Sequence, residues 1–147
     1  MNTHPSKAIA AWLALLAGAL GVHRWYLNGW RDRWAWAHWP PTLLGAYGLQ
    51  RALALGQDDG LSWLLLPILG LMVAQACLVA IIYGLTADER WQERRHPNHP
   101  VTPTRWAPVL AAVVGLFIGA SVLMATMAFS GQRFFEWQIE EARKISQ

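Results

Sequence analysis

Long apolar runs separated by short charged runs are the main pattern along the chain. Residues 8–22, 61–85 and 106–129 contain no Asp, Glu, Lys or Arg. An α-helix rises about 1.5 Å per residue, so about 20 apolar residues match the roughly 30 Å hydrocarbon core of a bilayer. The pattern therefore predicts helices long enough to cross a membrane.

Four apolar segments are predicted, at residues 8–27, 34–55, 61–85 and 106–129. The second is the least apolar, because only 17 residues without charge lie between Arg33 and Arg51. It also contains Pro40 and Pro41, and a proline pair suits the first turn of a helix. We therefore expect this helix to begin near Pro40, with a re-entrant or surface-lying helix as the alternative.

The predicted fold class is an all-α, polytopic membrane protein of about four transmembrane helices arranged as two hairpins. The first hairpin covers residues 5–56, and the second covers 57–130 with a solvated, extended polar loop at 86–105. Phe135, Ile139 and Ile145 recur near helical spacing among charged residues. Residues 131–147 are therefore expected to form an amphipathic C-terminal helix or a continuation of the fourth segment.

Composition supports a membrane location over a soluble one. Of 147 residues, 54% are hydrophobic and only 14% are charged, against roughly 25% in soluble domains. The net charge of +3 is explained by basic loops that face anionic lipid head groups, and no nucleic-acid-binding motif accompanies it. The single cysteine, Cys77, excludes an internal disulfide and is interpreted as a packing residue.

A motif occupies the end of the first segment. Residues 18–29 contain paired glycines, Gly18 and Gly21, followed by His23, Arg24, Trp25 and Tyr26. This stretch resembles the G-x-x-G-x-H-R-F-Y-L-x-G element of the TM-two domain family, with Trp25 in place of phenylalanine. The resemblance covers about residues 5–56 and implies a hairpin of two membrane spans, but no biochemical activity. Arg51 stands about where the family has an acid.

Histidines are the main candidates for chemistry. The short connection at 28–33 allows His23 and His38 to come together, although two histidines alone do not define a metal or haem site. His96 and His99 lie in the polar loop, are each followed by a proline and are interpreted as solvated. No Ser-His-Asp order, phosphate-binding glycine loop or zinc-protease motif occurs. No catalytic residue, metal or cofactor is therefore predicted.

Small residues indicate close helix packing. Gly115 and Gly119 form a G-x-x-x-G pattern, and Ala111 extends it backwards by one helical turn. Such a pattern allows close approach of a second helix. Packing within the chain and contact with another copy or partner both remain open. Gln75, the only amide in the third segment, is expected to hydrogen-bond to another helix, and Pro67 is expected to kink its own helix.

The preferred function is a non-catalytic scaffold or accessory subunit of a membrane complex. The alternative is binding or transport of a small molecule, lipid or ion in a polar pocket formed by His23, Arg24, Tyr26, His38 and Arg51. A redox protein that binds a cofactor through the two histidines is a third hypothesis. The predicted partners are membrane lipids and another membrane protein or a second copy, without nucleic acid.

The predicted location is the bacterial inner membrane. With four spans, seven basic residues lie in the loops after the first and third segments and five lie on the opposite side. This distribution slightly favours both termini outside the cytoplasm.

Overall fold

Helices account for all regular structure in the part of the chain that the computed structural model describes, residues 5–56, 58–95, 97, 101 and 103–146. The predicted all-α class is confirmed. The elements are α1 (Lys7–Ala17), a 3-10 turn (Gly18–Leu20), α2 (Val22–Asn28), α3 (Arg33–Trp36), α4 (Trp39–Leu55), α5 (Gly60–Leu85), α6 (Asp88–Arg95) and α7 (Ala107–Ile145).

Two antiparallel helices, α5 and α7, form the longest contact of the bundle. They have 26 and 39 residues, and within the described residues these two alone are long and apolar enough to cross a membrane. The prediction of four membrane-spanning helices is therefore not supported. Gly84 of α5 lies against Pro108, and Gly119 of α7 lies against Cys77.

The glycine pattern of α7 is used inside the chain. Gly115, Gly119 and Ala111 are buried, and a Cβ atom added at Gly119 would lie 2.7 Å from the Cβ of Cys77. Cys77 is itself buried. The alternative of packing within one chain is therefore the one realised by this motif, and Cys77 has the predicted packing role.

Helices α1 and α4 lie one after the other along α5. At the Asp88 end of the bundle, Lys7 pairs with Asp88 at 2.8 Å. At the opposite, Asp59 end, Arg51 of α4 pairs with Asp59 at 2.7 Å. Gly18 lies near the middle of α5, against Ala76. Each of the two helices therefore covers about half of the length of α5.

The first segment is not one continuous helix. Gly21 adopts φ 74°, and this left-handed residue separates the 3-10 turn from α2. Helix α2 then returns toward the Asp88 end, where the Tyr26 hydroxyl accepts a hydrogen bond from the backbone N–H of Ser6 at 2.8 Å. The expectation of a single span over residues 8–27 is wrong because the chain reverses at the Gly18–Leu20 turn.

The second segment begins as predicted but is short. Helix α4 starts at Trp39, with the proline pair in its first turn, because proline lacks the N–H that an N-terminal turn leaves unpaired. The Thr42 hydroxyl donates to the carbonyl of Ala19 at 2.5 Å and so fixes the start of α4 beside the turn after α1. Its 17 residues span about 26 Å.

One further expectation needs correction. The polar connection at 86–105 is not wholly extended, because α6 forms over Asp88–Arg95 with acids in its first turn and arginines in its last, which suits the helix dipole. Of the two alternatives for residues 131–147, continuation of the fourth segment is the one observed, because α7 continues without a break to Ile145. His96 and His99 lie outside the described residues.

Candidate functional site

The motif at residues 18–29 lies where four helices meet. A Cβ atom on Gly18 would lie 2.8 Å from the Cβ of Ala76, and one on Gly21 would lie 2.6 Å from the carbonyl oxygen of Ala35. Both glycines therefore allow backbone approaches that a side chain would block. They join α1, α2 and α3 to the middle of α5.

His23 lies buried behind these glycines. Its residue surface is 2% exposed, and its Nδ1 atom has no hydrogen-bond partner. The ring of His38 stands edge-on at 6.0 Å between centroids, and the ring of Tyr83 lies at 5.9 Å. The structure thus brings His23 and His38 together, as the short connection between them predicts, and adds a tyrosine that the sequence pattern did not single out.

Hydrogen bonds orient the ring of His38. Its Nδ1 lies 2.6 Å from the carbonyl oxygen of Trp34, so Nδ1 carries the proton and donates. Its Nε2 lies 3.3 Å from the amide nitrogen of Gln75, which then donates to the ring. The expected interhelical hydrogen bond of Gln75 is therefore made to His38, and it ties α5 to the residue before α4.

Arg24 pairs with an acid beside the histidine pair. Its Nε donates to Asp32 at 3.0 Å, and Asn28 donates to the same carboxylate at 2.7 Å. The bond from Asn28 is the largest effect lowering the pKa of Asp32 to about 2, and bonds from Arg24 and the Trp34 N–H add to it. Asp32 also caps α3 through that N–H, so this acid orders the connection between α2 and α3.

Aromatic rings cover the outer side of the motif. Trp25 stacks on Trp30 at 4.8 Å and meets Trp36 edge-on at 4.9 Å. Trp39 lies 6.1 Å from Trp25. Trp25 is thus the centre of a cluster of four indole rings, which holds α2 and α3 together.

Two residues of the predicted polar pocket lie elsewhere. The Tyr26 hydroxyl is engaged with Ser6, and Arg51 lies at the Asp59 end, beside Asp59 and Tyr47. The histidine pair and the remaining predicted residues therefore do not form one pocket. Among the residues that the structure describes, no group of three or more His, Cys, Asp or Glu side chains is placed to hold a metal ion.

Several residues that order the site were not singled out from the sequence. Asp32, Ala35 and Tyr83 are ordinary single residues in the sequence, and they acquire a role only through the chain reversal at Gly21. The helix-capping position of Asp32, two residues before Trp34, is the one local signal that was available.

A second acid, Asp88, links neighbouring segments at its own end of the bundle. Asp88 binds Lys7 at 2.8 Å and accepts bonds from the N–H and hydroxyl of Thr104, each at 2.7 Å. Burial acts to raise the pKa of Asp88, but the bonds from Lys7 and Thr104 outweigh it and hold the pKa below 3.8. Asp88 therefore joins α1, α6 and the segment before α7.

This geometry predicts acid sensitivity. Because the folded-state pKa of Asp88 is depressed, its stabilising effect is present above about pH 4 and is lost as the pH falls through the folded value. Asp88→Asn should lower the free energy of unfolding at pH 7 by about 2 kcal/mol and weaken the fall in Tm between pH 5 and pH 3. Thermal unfolding in detergent measures both effects.

Glu93→Gln is the matched control, because Glu93 is an exposed acid on the same helix. It should leave Tm at pH 7 and its pH dependence unchanged. An Asp88→Asn variant with the stability and acid response of the unaltered chain would contradict the assignment.

Comparisons with known proteins give no match from which a role for this site could be proposed. No protein-family model matches the chain, and neither a curated protein nor a solved structure is significantly similar to it.

Proposed function

We propose that the chain is an integral membrane protein, because apolar side chains cover the outside of its long helices. Only 22% of the most apolar window of α5, and of α7, is buried, whereas a helix in a soluble core is mostly buried. Leu64, Phe117 and Met124 are each at least 70% exposed. A soluble monomer rarely exposes so large an apolar surface, but a bilayer covers it.

The proposed topology has three crossings, two of them by α5 and α7. The third is a broken crossing, in which α1 descends from the Asp88 end to the middle of α5 and α4 completes the passage to the Asp59 end. Helices α2 and α3 form a side loop at the level of the half of the bundle that lies nearer the Asp88 end. Non-helical backbone at such depth is tolerated where protein buries it, and the Gly21 turn packs against Ala35.

The distribution of charge supports this arrangement and its orientation. Eight of the 12 basic residues then belong to the Asp88 end, namely Lys7, Arg24, Arg31, Arg33, Arg90, Arg94, Arg95 and Arg105. Four belong to the Asp59 end. The positive-inside rule places the Asp88 end in the cytoplasm, with the N-terminal segment inside and the end of α7 outside. A bacterial inner membrane is the proposed location.

Within the membrane we assign the chain the role of a non-catalytic scaffold or accessory subunit. The assignment rests on the end of α7, which projects beyond the level where α5 begins. Arg133 lies over the Trp63 ring at 4.7 Å, at the level where α5 begins. Residues 134–145 continue beyond that level for about 18 Å. Phe135, Ile139 and Ile145 remain exposed there, so this helix end offers an apolar stripe to a partner.

The test is affinity purification of the tagged chain in mild detergent, with quantitative mass spectrometry. The unaltered chain should retain a stoichiometric membrane protein. The variant Ile139→Ser with Ile145→Ser should retain about thirtyfold less of it, the equivalent of one interface hot spot. Glu140→Ser with Lys144→Ser, two exposed residues on the other side of the helix, is the matched control and should retain it. Absence of a partner, or equal retention by the first variant, would overturn the assignment.

A second candidate function is binding or transport of a small molecule or ion at the histidine pair. The unpaired Nδ1 atom of buried His23 favours it, because buried polar atoms usually have partners. Purified protein without bound ligand and without flux in liposomes would remove this candidate. The relationship of residues 5–56 to the TM-two domain family stays a prediction. For these residues we propose one broken crossing in place of the two spans that the family implies.

A further inference from the structure

Three arginines at the Asp88 end stand directly beside exposed tryptophans. The neighbouring pairs are Trp30 with Arg31, Arg33 with Trp34, and Arg105 with Trp106. The three indoles are 70 to 77% exposed, and the three arginines are exposed as well. We name these six residues the Arg-Trp set; what they share is the Asp88 end of the bundle. Two of the pairs flank the connection between α2 and α3, and the third precedes α7.

In the described part of the chain, these three arginines have no ion-pair partner. Among the described residues, Arg31, Arg33 and Arg105 make no salt bridge and no side-chain hydrogen bond, whereas basic groups at the opposite end are mostly paired. There, Arg51 binds Asp59 at 2.7 Å, Arg133 binds Glu136 at 2.6 Å and Lys144 binds Glu141 at 2.8 Å. Unpaired cations are therefore concentrated at one end of the bundle.

Indole rings favour the head-group level of a bilayer, and a guanidinium matches the oxygens of a phosphate group through paired N–H donors. A tryptophan next to an arginine thus places a phosphate-binding group at the depth where lipid phosphates lie. We infer that the Arg-Trp set binds the phosphate head groups of anionic phospholipids. This inference rests on the membrane insertion of the proposed function but not on its partner.

The test reconstitutes the purified full chain into liposomes of equal parts phosphatidylglycerol and phosphatidylcholine. Flotation first shows whether the protein is inserted. The protein is then extracted in mild neutral detergent, and the retained lipid is quantified by mass spectrometry. Phosphatidylglycerol should be enriched at least about fivefold, the factor that one arginine near an anionic surface supplies. The enrichment should fall when salt is raised, because salt screens exposed charges.

The variant Arg31→Gln, Arg33→Gln and Arg105→Gln should retain the two lipids in their bulk ratio. Arg143→Gln with Lys144→Gln removes positive charge from the opposite end and should retain the enrichment. Equal retention of both lipids by the unaltered chain, or enrichment that survives the triple variant, would overturn the inference. So would binding of added RNA by these arginines without lipid enrichment.

The salt series on the unaltered chain needs no variant, so a triple variant that fails to fold does not block the test. Failure of the protein to float with liposomes would reject membrane insertion and with it the proposed function. Flotation without enrichment would reject the lipid site alone.

Discussion

Replacing Gly45 and Gly48 together by alanine is expected to separate α4 from α5. A Cβ atom at Gly45 would lie 2.5 Å from the backbone nitrogen of Leu69, and one at Gly48 would lie 2.5 Å from the Cβ of Leu65. Backbone atoms cannot move aside to relieve such a close contact, whereas the end of a flexible side chain can. Overpacking of this kind costs 1 to 3 kcal/mol at each site, so the double variant should lose about 4 kcal/mol.

Thermal unfolding in detergent should show Tm lowered by roughly 10 °C or more. Gly131→Ala is the matched control, because Gly131 lies inside α7 with no atom within 4 Å of an added Cβ. Alanine favours a helix over glycine, so this control should keep or slightly raise Tm. A double variant as stable as the control would contradict the close contact of α4 with α5.

Gly21→Ala is expected to have the next largest effect, because two costs coincide at one residue. Its φ of 74° lies in the left-handed region, which costs an alanine about 1 kcal/mol. Its Cβ would also lie 2.6 Å from the carbonyl oxygen of Ala35 and 3.0 Å from that residue's Cα. We expect a total loss of about 3 kcal/mol in the free energy of unfolding.

Gly21→Asn separates the two costs. Asparagine adopts the left-handed conformation of Gly21 more readily than alanine does, but its Cβ would meet the same carbonyl oxygen of Ala35 at 2.6 Å. It should therefore lose the packing contribution, about 2 kcal/mol. A Gly21→Asn variant as stable as the unaltered chain would mean that Gly21 acts through its dihedral angles alone, and that the packing of the reversal against α3 is wrong.

The parts of the fold that local pattern determines were predictable. The two long apolar runs predict α5 and α7, and the proline pair predicts the start of α4 within a residue. Close glycine packing was also predicted, although the sequence did not show that Gly119 would meet Cys77 of the same chain. Choosing between contact within a chain and contact between chains requires the position of the other helix.

The chain reversal was not predictable from apolar length. Residues 8–22 form an uninterrupted apolar run, and their composition alone suits a straight helix. The left-handed conformation of Gly21 depends on contact with Ala35, which lies 14 residues later. The same reversal determines the arrangement of the site. The approach of His23 to His38 was predicted from the sequence, but the pairing of Arg24 with Asp32 was not. The continuous course of α7 past Arg133 was one of two alternatives that its sequence left open.

Cysteine accessibility tests the three-crossing architecture most directly. In a Cys77→Ala background, single cysteines replace Ser6, Arg31, Gly56, Arg94 and Ser146, and intact vesicles of one orientation are treated with a membrane-impermeant maleimide. We expect positions 6, 31 and 94 to react from one side and positions 56 and 146 to react from the other. Reaction of positions 6 and 56 from the same side, with position 31 opposite to both, would contradict this architecture and restore two complete spans before α5.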